Sequence, residues 1–183
     1  LDVYRRIDEN AVSELETLEH WVELAQGPAG TAADAVRALA ALTLYHIGAG
    51  STDSAAETLG KLLAVASGAP VEAGPRLDRV AERMGRKPEA APVLLCAADC
   101  YEALGQHDNA LRSLNWAVDA APDHIDAHQR LASIHQAEGR KDKAYDHQLA
   151  ILRVLLTREK PAVWQARLKE LRELASGQPR MRL

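Results

Sequence analysis

Phenylalanine is absent from this chain of 183 residues, and tryptophan and tyrosine together supply only 4% of it. A core without many large rings must be filled by aliphatic and small side chains, which disfavours sheets built on aromatic cross-strand pairs. Cysteine is scarce as well. Cys96 and Cys100 cannot make a disulfide framework and, four apart within one helical stretch, share a face. They read as small packing residues in a reducing, cytoplasmic compartment. Neither has a basic neighbour in the adjacent turns, so a redox pair is not expected. Basic surplus is missing too: 22 Lys and Arg stand against 26 Asp and Glu, a net charge of -4. Nucleic acid is therefore not an expected partner, because neutralising phosphates requires the opposite balance. No apolar run approaches the roughly 18 residues of a membrane span, and the N-terminus lacks the order of a signal peptide. The chain opens at Leu1 instead of Met. A processed or partial chain is expected, with room upstream for a targeting segment or a catalytic domain.

What is abundant points to helices. Almost half of the residues are apolar, mostly Ala and Leu, and Gly and Pro fall between long uninterrupted stretches. Val12, Leu15, Leu18, Val22 and Ala25 form the stripe of a first helix that stops at Gly27-Pro28. Thr31 and Asp34 have capping-box spacing and open a second helix to Ile47. Ser54 with Glu57 predicts the start of a third, and Pro75 the first turn of a fourth that ends at Gly85. Further helices are expected over 90–104, 107–120, 125–138 and 141–157, with Pro161 opening a last one. No long linker divides these elements, so residues 1–176 read as one helical domain followed by a basic tail, 177–183.

Residues 91–124 resemble a tetratricopeptide repeat, a 34-residue helix pair. With Ala91 first, Leu94 takes the large fourth position, Ala97 and Ala98 the seventh and eighth, and Tyr101 the eleventh. Gly105 falls at the turn, and Ala110, Leu114, Ala117 and Pro122 fill the slots of the second helix. A second copy, 125–158, carries Leu131, Ala132, Gly139, Ala144 and Ile151 at equivalent positions. It departs at His128, His135 and Gln148, and Leu156 replaces the proline, so its second helix should run on to Thr157. A degenerate copy, 36–69, keeps Leu39, Leu42, Gly50, Ala55, Leu59 and Leu62 but has Thr43 in the small eighth slot. Because 70–90 holds a single helix, an alternative pairing of first with second and third with fourth stays open. The resemblance implies an all-α fold, a right-handed superhelix of antiparallel helix pairs (a TPR-like α-solenoid), closed by a capping helix over 161–176.

In this family the first helices of the pairs line a concave groove through their second, fifth, ninth and twelfth positions. Carried over, these are Pro92, Leu95, Asp99 and Glu102, then Asp126, Gln129, Ser133 and Gln136. The resulting face is polar and mildly acidic, which suits a protein or peptide partner bearing Lys or Arg. Leu95 and Asp99 stand where chaperone-tail binders of the family need Lys and Asn, and Arg130 alone is too little for that carboxylate clamp.

Four histidines, His124 and then His128, His135 and His147 of the second copy, gather here, but no H-E-x-x-H pattern or Cys/His spacing accompanies them, so helix packing is expected in place of zinc. Gly48 to Thr52 reads as a hairpin turn, since no Lys follows the glycines as in a phosphate loop. Trp21, Trp116 and Trp164 are expected to pack in three separate helices. Nothing places a nucleophile beside a base and an orienting group, so neither catalysis nor a cofactor is expected. The expectation is a protein-binding scaffold. The alternatives are a regulatory part of a larger enzyme, or self-assembly into a homo-oligomer through the acidic residues 1–26 and the basic residues 158–183.

Overall fold

The computed structural model describes residues 2–158 together with 165, 168, 169 and 171–173; for residues 2–12 and 158 only the backbone is described. All regular structure among them is helical: α1 (Asp2–Gln26), α2 (Ala32–Gly48), α3 (Thr52–Ala66), α4 (Pro70–Met84), α5 (Ala91–Ala103), α6 (His107–Ala120), α7 (Ile125–Ala137) and α8 (Lys141–Arg158). A short 3-10 turn, Pro88–Ala90, leads into α5.

Helix starts follow local chemistry. At α2 the expected capping box forms: the Asp34 amide donates to Thr31 Oγ1 at 3.2 Å, and the Thr31 amide to Asp34 Oδ2 at 3.3 Å. Two boundaries differ from the sequence expectation. α3 begins at Thr52, not at Ser54, which lies inside the helix with its carbonyl accepting from the Thr58 hydroxyl at 2.8 Å. α4 opens at Pro70, with Pro75 within it. Pro75 removes the single N–H that would reach the Val71 carbonyl, and Val71 is 85% exposed, so solvent can serve that acceptor.

Three hairpins share one turn. Gly50, Gly105 and Gly139 have φ of 77°, 69° and 72°, a left-handed conformation that glycine adopts without strain. After each, the next amide reaches back five residues: Ser51 to the His46 carbonyl at 2.9 Å, Gln106 to Tyr101 at 2.8 Å, and Arg140 to His135 at 2.8 Å. The acceptor is the eleventh position of its 34-residue block each time, and Ala55, Ala110 and Ala144, all buried, occupy the twentieth. The degenerate block 36–69 is therefore a true helix pair. Stacked antiparallel pairs α2/α3, α5/α6 and α7/α8 result, the arrangement of a TPR-like solenoid. Thr43 fits its small slot because its buried hydroxyl donates to the Leu39 carbonyl at 2.8 Å.

Of the alternative pairing, first with second occurs, since α1 packs on α2, but third with fourth does not: α4 leaves α3 and packs on α2 and α5. With α3 also on α5, the helices α2, α3, α5 and α4 close a ring. Leu39, Leu59, Leu77 and Leu94 from the four helices are all fully buried. Carboxylates on α4 fix its register. Glu72 accepts both Arg37 Nη2 at 3.1 Å and Arg37 Nε at 3.3 Å from α2. Asp78 Oδ1 accepts the hydroxyl of the buried Tyr101 at 2.7 Å and Arg112 Nη2 at 2.9 Å. α1 covers α2 through Val22 and Ala25.

At the other end Leu171 is fully buried with Tyr145 and Leu152, and Leu149 and Leu168 complete this cluster. Residues 165, 168, 169 and 171–173 are helical, giving a short extra helix where a cap is expected. The rest of 161–176, Trp164 included, and the tail 177–183 lie outside the described residues.

Because Ala110 is 1% exposed at a helix crossing, Ala110→Leu should lower unfolding stability by about 1–3 kcal/mol. Ala103→Leu, on an exposed position of α5, should change it little. Urea denaturation of the two variants separates a packed crossing from an open one.

Candidate functional site

The expected groove residues lie on α5 and α7, each 13 residues long. Leu95 and Asp99 are half-buried and Glu102 is exposed, four and three residues apart and thus on one side of α5. On α7, Gln129 is half-buried while Asp126, Ser133 and Gln136 are exposed; Pro92 is exposed at the start of α5.

Arg130 joins the two faces. Its Nη2 donates to Asp99 Oδ1 at 2.5 Å and to Glu102 Oε1 at 3.2 Å, with the Arg130 side chain only 26% exposed. Two of the acidic groups expected to greet a basic partner are thus already partnered within the chain. The electrostatic pull of this face is smaller than a count of its carboxylates suggests. The sequence held the necessary clue: Arg130 is the sixth residue of its block and Asp99 the ninth of the preceding one, so successive pairs bring them together.

The histidines form a packed chain between α7 and α8. His128 Nε2 lies 3.0 Å from the Pro122 carbonyl, which can only accept, so that nitrogen carries the proton. In the neutral ring Nδ1 then accepts, and His147 Nδ1, 3.0 Å away, is the donor. His135 stacks on His147 with ring centres 5.5 Å apart. Upstream, His124 Nδ1 accepts from the Ala127 amide at 3.4 Å as the N-cap of α7. His128 and His135 occupy the packing slots that large apolar residues usually fill, and both are buried. Among the described residues no group of three His, Cys, Asp or Glu side chains is arranged to hold a metal ion. Burial, and then the neighbouring His128 and His135, push the His147 imidazole down from 6.5 to about 4. His135 is lowered as well, chiefly by burial.

Cys100 is buried and its thiol faces the Leu59 carbonyl at 3.7 Å. Burial first, then Cys96 and Asp99, push it up to about 12. Burial also raises Cys96, although Arg130 from α7 opposes the shift. Neither thiol is poised as a thiolate, in keeping with a packing role. Gly48 and the residues to Thr52 form the α2/α3 turn described above. Trp116 packs half-buried beneath the Arg112 guanidinium, 5.5 Å from the ring centre. Trp21 departs from expectation: it is 41% exposed, because only the Val22 and Ala25 side of α1 meets α2.

A groove that sequence periodicity does not reveal lies where the start of α6 meets the end of α7. It encloses about 540 Å³ over Ala110, Leu111, Ile134 and Ala137, with Glu102, Asp108 and Glu138 at its border.

Residues 91–134, spanning α5, α6 and most of α7, match the profile of the tetratricopeptide repeat family. The chain thus carries a tetratricopeptide-type repeat over this part of its length. No curated protein matches the chain. Among the described residues, no helix is long and apolar enough to cross a membrane.

The histidine chain predicts an acid-sensitive fold. A group held at about 4 when folded and near 6.5 when free takes up a proton on unfolding between those values. Its contribution is complete above about 6.5 and is lost as the pH falls toward about 4. The urea midpoint should therefore decline between about pH 7 and pH 5, and His147→Gln should flatten that decline. A wild-type profile that is level over this interval contradicts the assignment.

Proposed function

We propose that the chain is a non-catalytic protein-interaction scaffold that holds a peptide or partner helix against the adjoining faces of α5 and α7. The stacked helix pairs keep such a face open without any ligand, so little ordering is required on docking. Leu95, Asp99 and Glu102 from α5, with Asp126, Gln129, Ser133 and Gln136 from α7, form the contact set. A cytoplasmic setting suits the unpaired Cys96 and Cys100.

One observation supports this reading above the others: Arg130 bridges Asp99 and Glu102 and so fixes the two helices side by side with Gln129 and Ser133 beside it. The bridge also defines the recognition chemistry. A Lys or Arg of the partner enters a site where one guanidinium already serves two carboxylates, and it shares them. Apolar contact with Leu95 adds to that polar contact.

Screening a displayed peptide library on the immobilised chain, followed by calorimetric titration of the enriched sequences, tests the assignment. Enriched peptides should carry Lys or Arg, and Ser133→Glu and Asp99→Lys should each change their affinity about tenfold, in opposite directions. Asp99→Lys weakens binding by removing a shared carboxylate, whereas Ser133→Glu strengthens it by adding one. Affinities unmoved by both substitutions place the contact elsewhere.

A further inference from the structure

Beyond the α5/α7 face, the groove between the start of α6 and the end of α7 has a chemistry of its own. Its floor is apolar: Ala110 is buried, Leu111 and Ile134 are half-buried against the main core, and Ala137 is exposed at the mouth. The two half-buried side chains each present a surface that the hairpins do not cover. A volume of about 540 Å³ accommodates one or two aliphatic side chains, and ligand sites commonly combine such a floor with a few placed polar groups.

The charged groups here are carboxylates, and His107 completes the polar lining. Glu102, Asp108 and Glu138 come from three different elements and surround the floor. The cations near them are internal: Arg130 serves Glu102 and also Asp99, and Arg140 pairs with Glu138. Of the three border carboxylates, Glu102 shares Arg130 with Asp99 and Glu138 has Arg140, so Asp108 is the one without a cation and the border is negative. Asp108 is exposed, and no ion pair to it exists among the described residues. An apolar floor within a negative border selects for a segment that carries an aliphatic side chain between positive ones, because it buries the first and satisfies the second.

We propose that this groove is a second docking site, which receives an aliphatic side chain flanked by Lys or Arg in a segment of another protein. It rests on the reading of the chain as a binding scaffold but uses a different surface, with Glu102 alone on the border of both. The aliphatic side chain seats between Leu111 and Ile134, and the flanking cations lie toward Asp108 and Glu138.

Fluorescence anisotropy of the full chain with the labelled peptide Gly-Ser-Lys-Arg-Ile-Leu-Arg-Lys-Ser-Gly provides the test. Saturable binding is expected, weakened at least tenfold when Ser-Ser replaces the central Ile-Leu. Ala137→Trp, which fills the mouth from an exposed position, should weaken it about tenfold, and Asp108→Lys about fivefold. Glu82→Lys, at an exposed position of α4 outside both surfaces, should leave it unchanged, Ser133→Arg reports on the α5/α7 face, and circular dichroism confirms that each variant is folded. If Ala137→Trp fails to fold, Asp108→Lys and the Ser-Ser peptide still decide between the outcomes. Equal binding of the Ser-Ser peptide overturns the proposal, since charge alone then accounts for the signal. Loss only on Ser133→Arg also overturns it and leaves the α5/α7 scaffold standing, whereas no binding to any variant rejects the groove alone. Binding that emerges only when residues 177–183 are deleted overturns the external partner and assigns the groove to the chain's own basic tail.

Discussion

The architecture depends on reversing a helix within a very short turn. At Gly50, Gly105 and Gly139 the backbone enters a left-handed conformation, and the following amide closes onto the eleventh-position carbonyl of its block. That bond serves a carbonyl of the last helical turn, where intrahelical donors run out. It also aims the next helix back along the first, so Ala55, Ala110 and Ala144 arrive at the crossing with almost no side chain to hold the rods apart. Gly85 has a positive φ as well but a ψ of -147°, and no hairpin follows it.

Helix α4 is the exception that shows what else holds the molecule. It belongs to no pair, yet Leu77 and Val80 are fully buried and therefore supply its adhesion. The partly exposed Glu72 and Asp78 pairs contribute little energy by comparison. Their value lies in direction. Glu72 binds α2 and Asp78 binds α5 and α6, so a helix whose apolar stripe could slide by a turn is held in one register.

Much of this fold was legible because small residues and glycines recur at fixed offsets over 91–158. Tyr101, Ala110 and Gly105 each had one role that their size or backbone freedom dictated. Thr31 and Asp34 were legible for the same reason, since a capping box is local chemistry. Less was legible where two local signals competed or where tertiary contact decided. Pro70 and Pro75 both suit a helix start, and only the buried stripe beginning at Ala73 shows that the earlier one is used. Trp21 carries a large apolar ring but lies on the side of α1 that no helix covers. The candidate face was visible as positions and not as electrostatics, because Arg130 meets Asp99 and Glu102 only once two blocks are stacked. The groove beside Asp108 has no period at all, since it is made of two helix ends.

The Arg130 bridge has a mechanical side. It spans α5 and α7, the lead helices of neighbouring hairpins, and so acts as a tie-rod that helps set the angle between them. Any cation that competes for Asp99 or Glu102 competes with this rod, so recognition at the face and the spacing of the two hairpins draw on the same guanidinium.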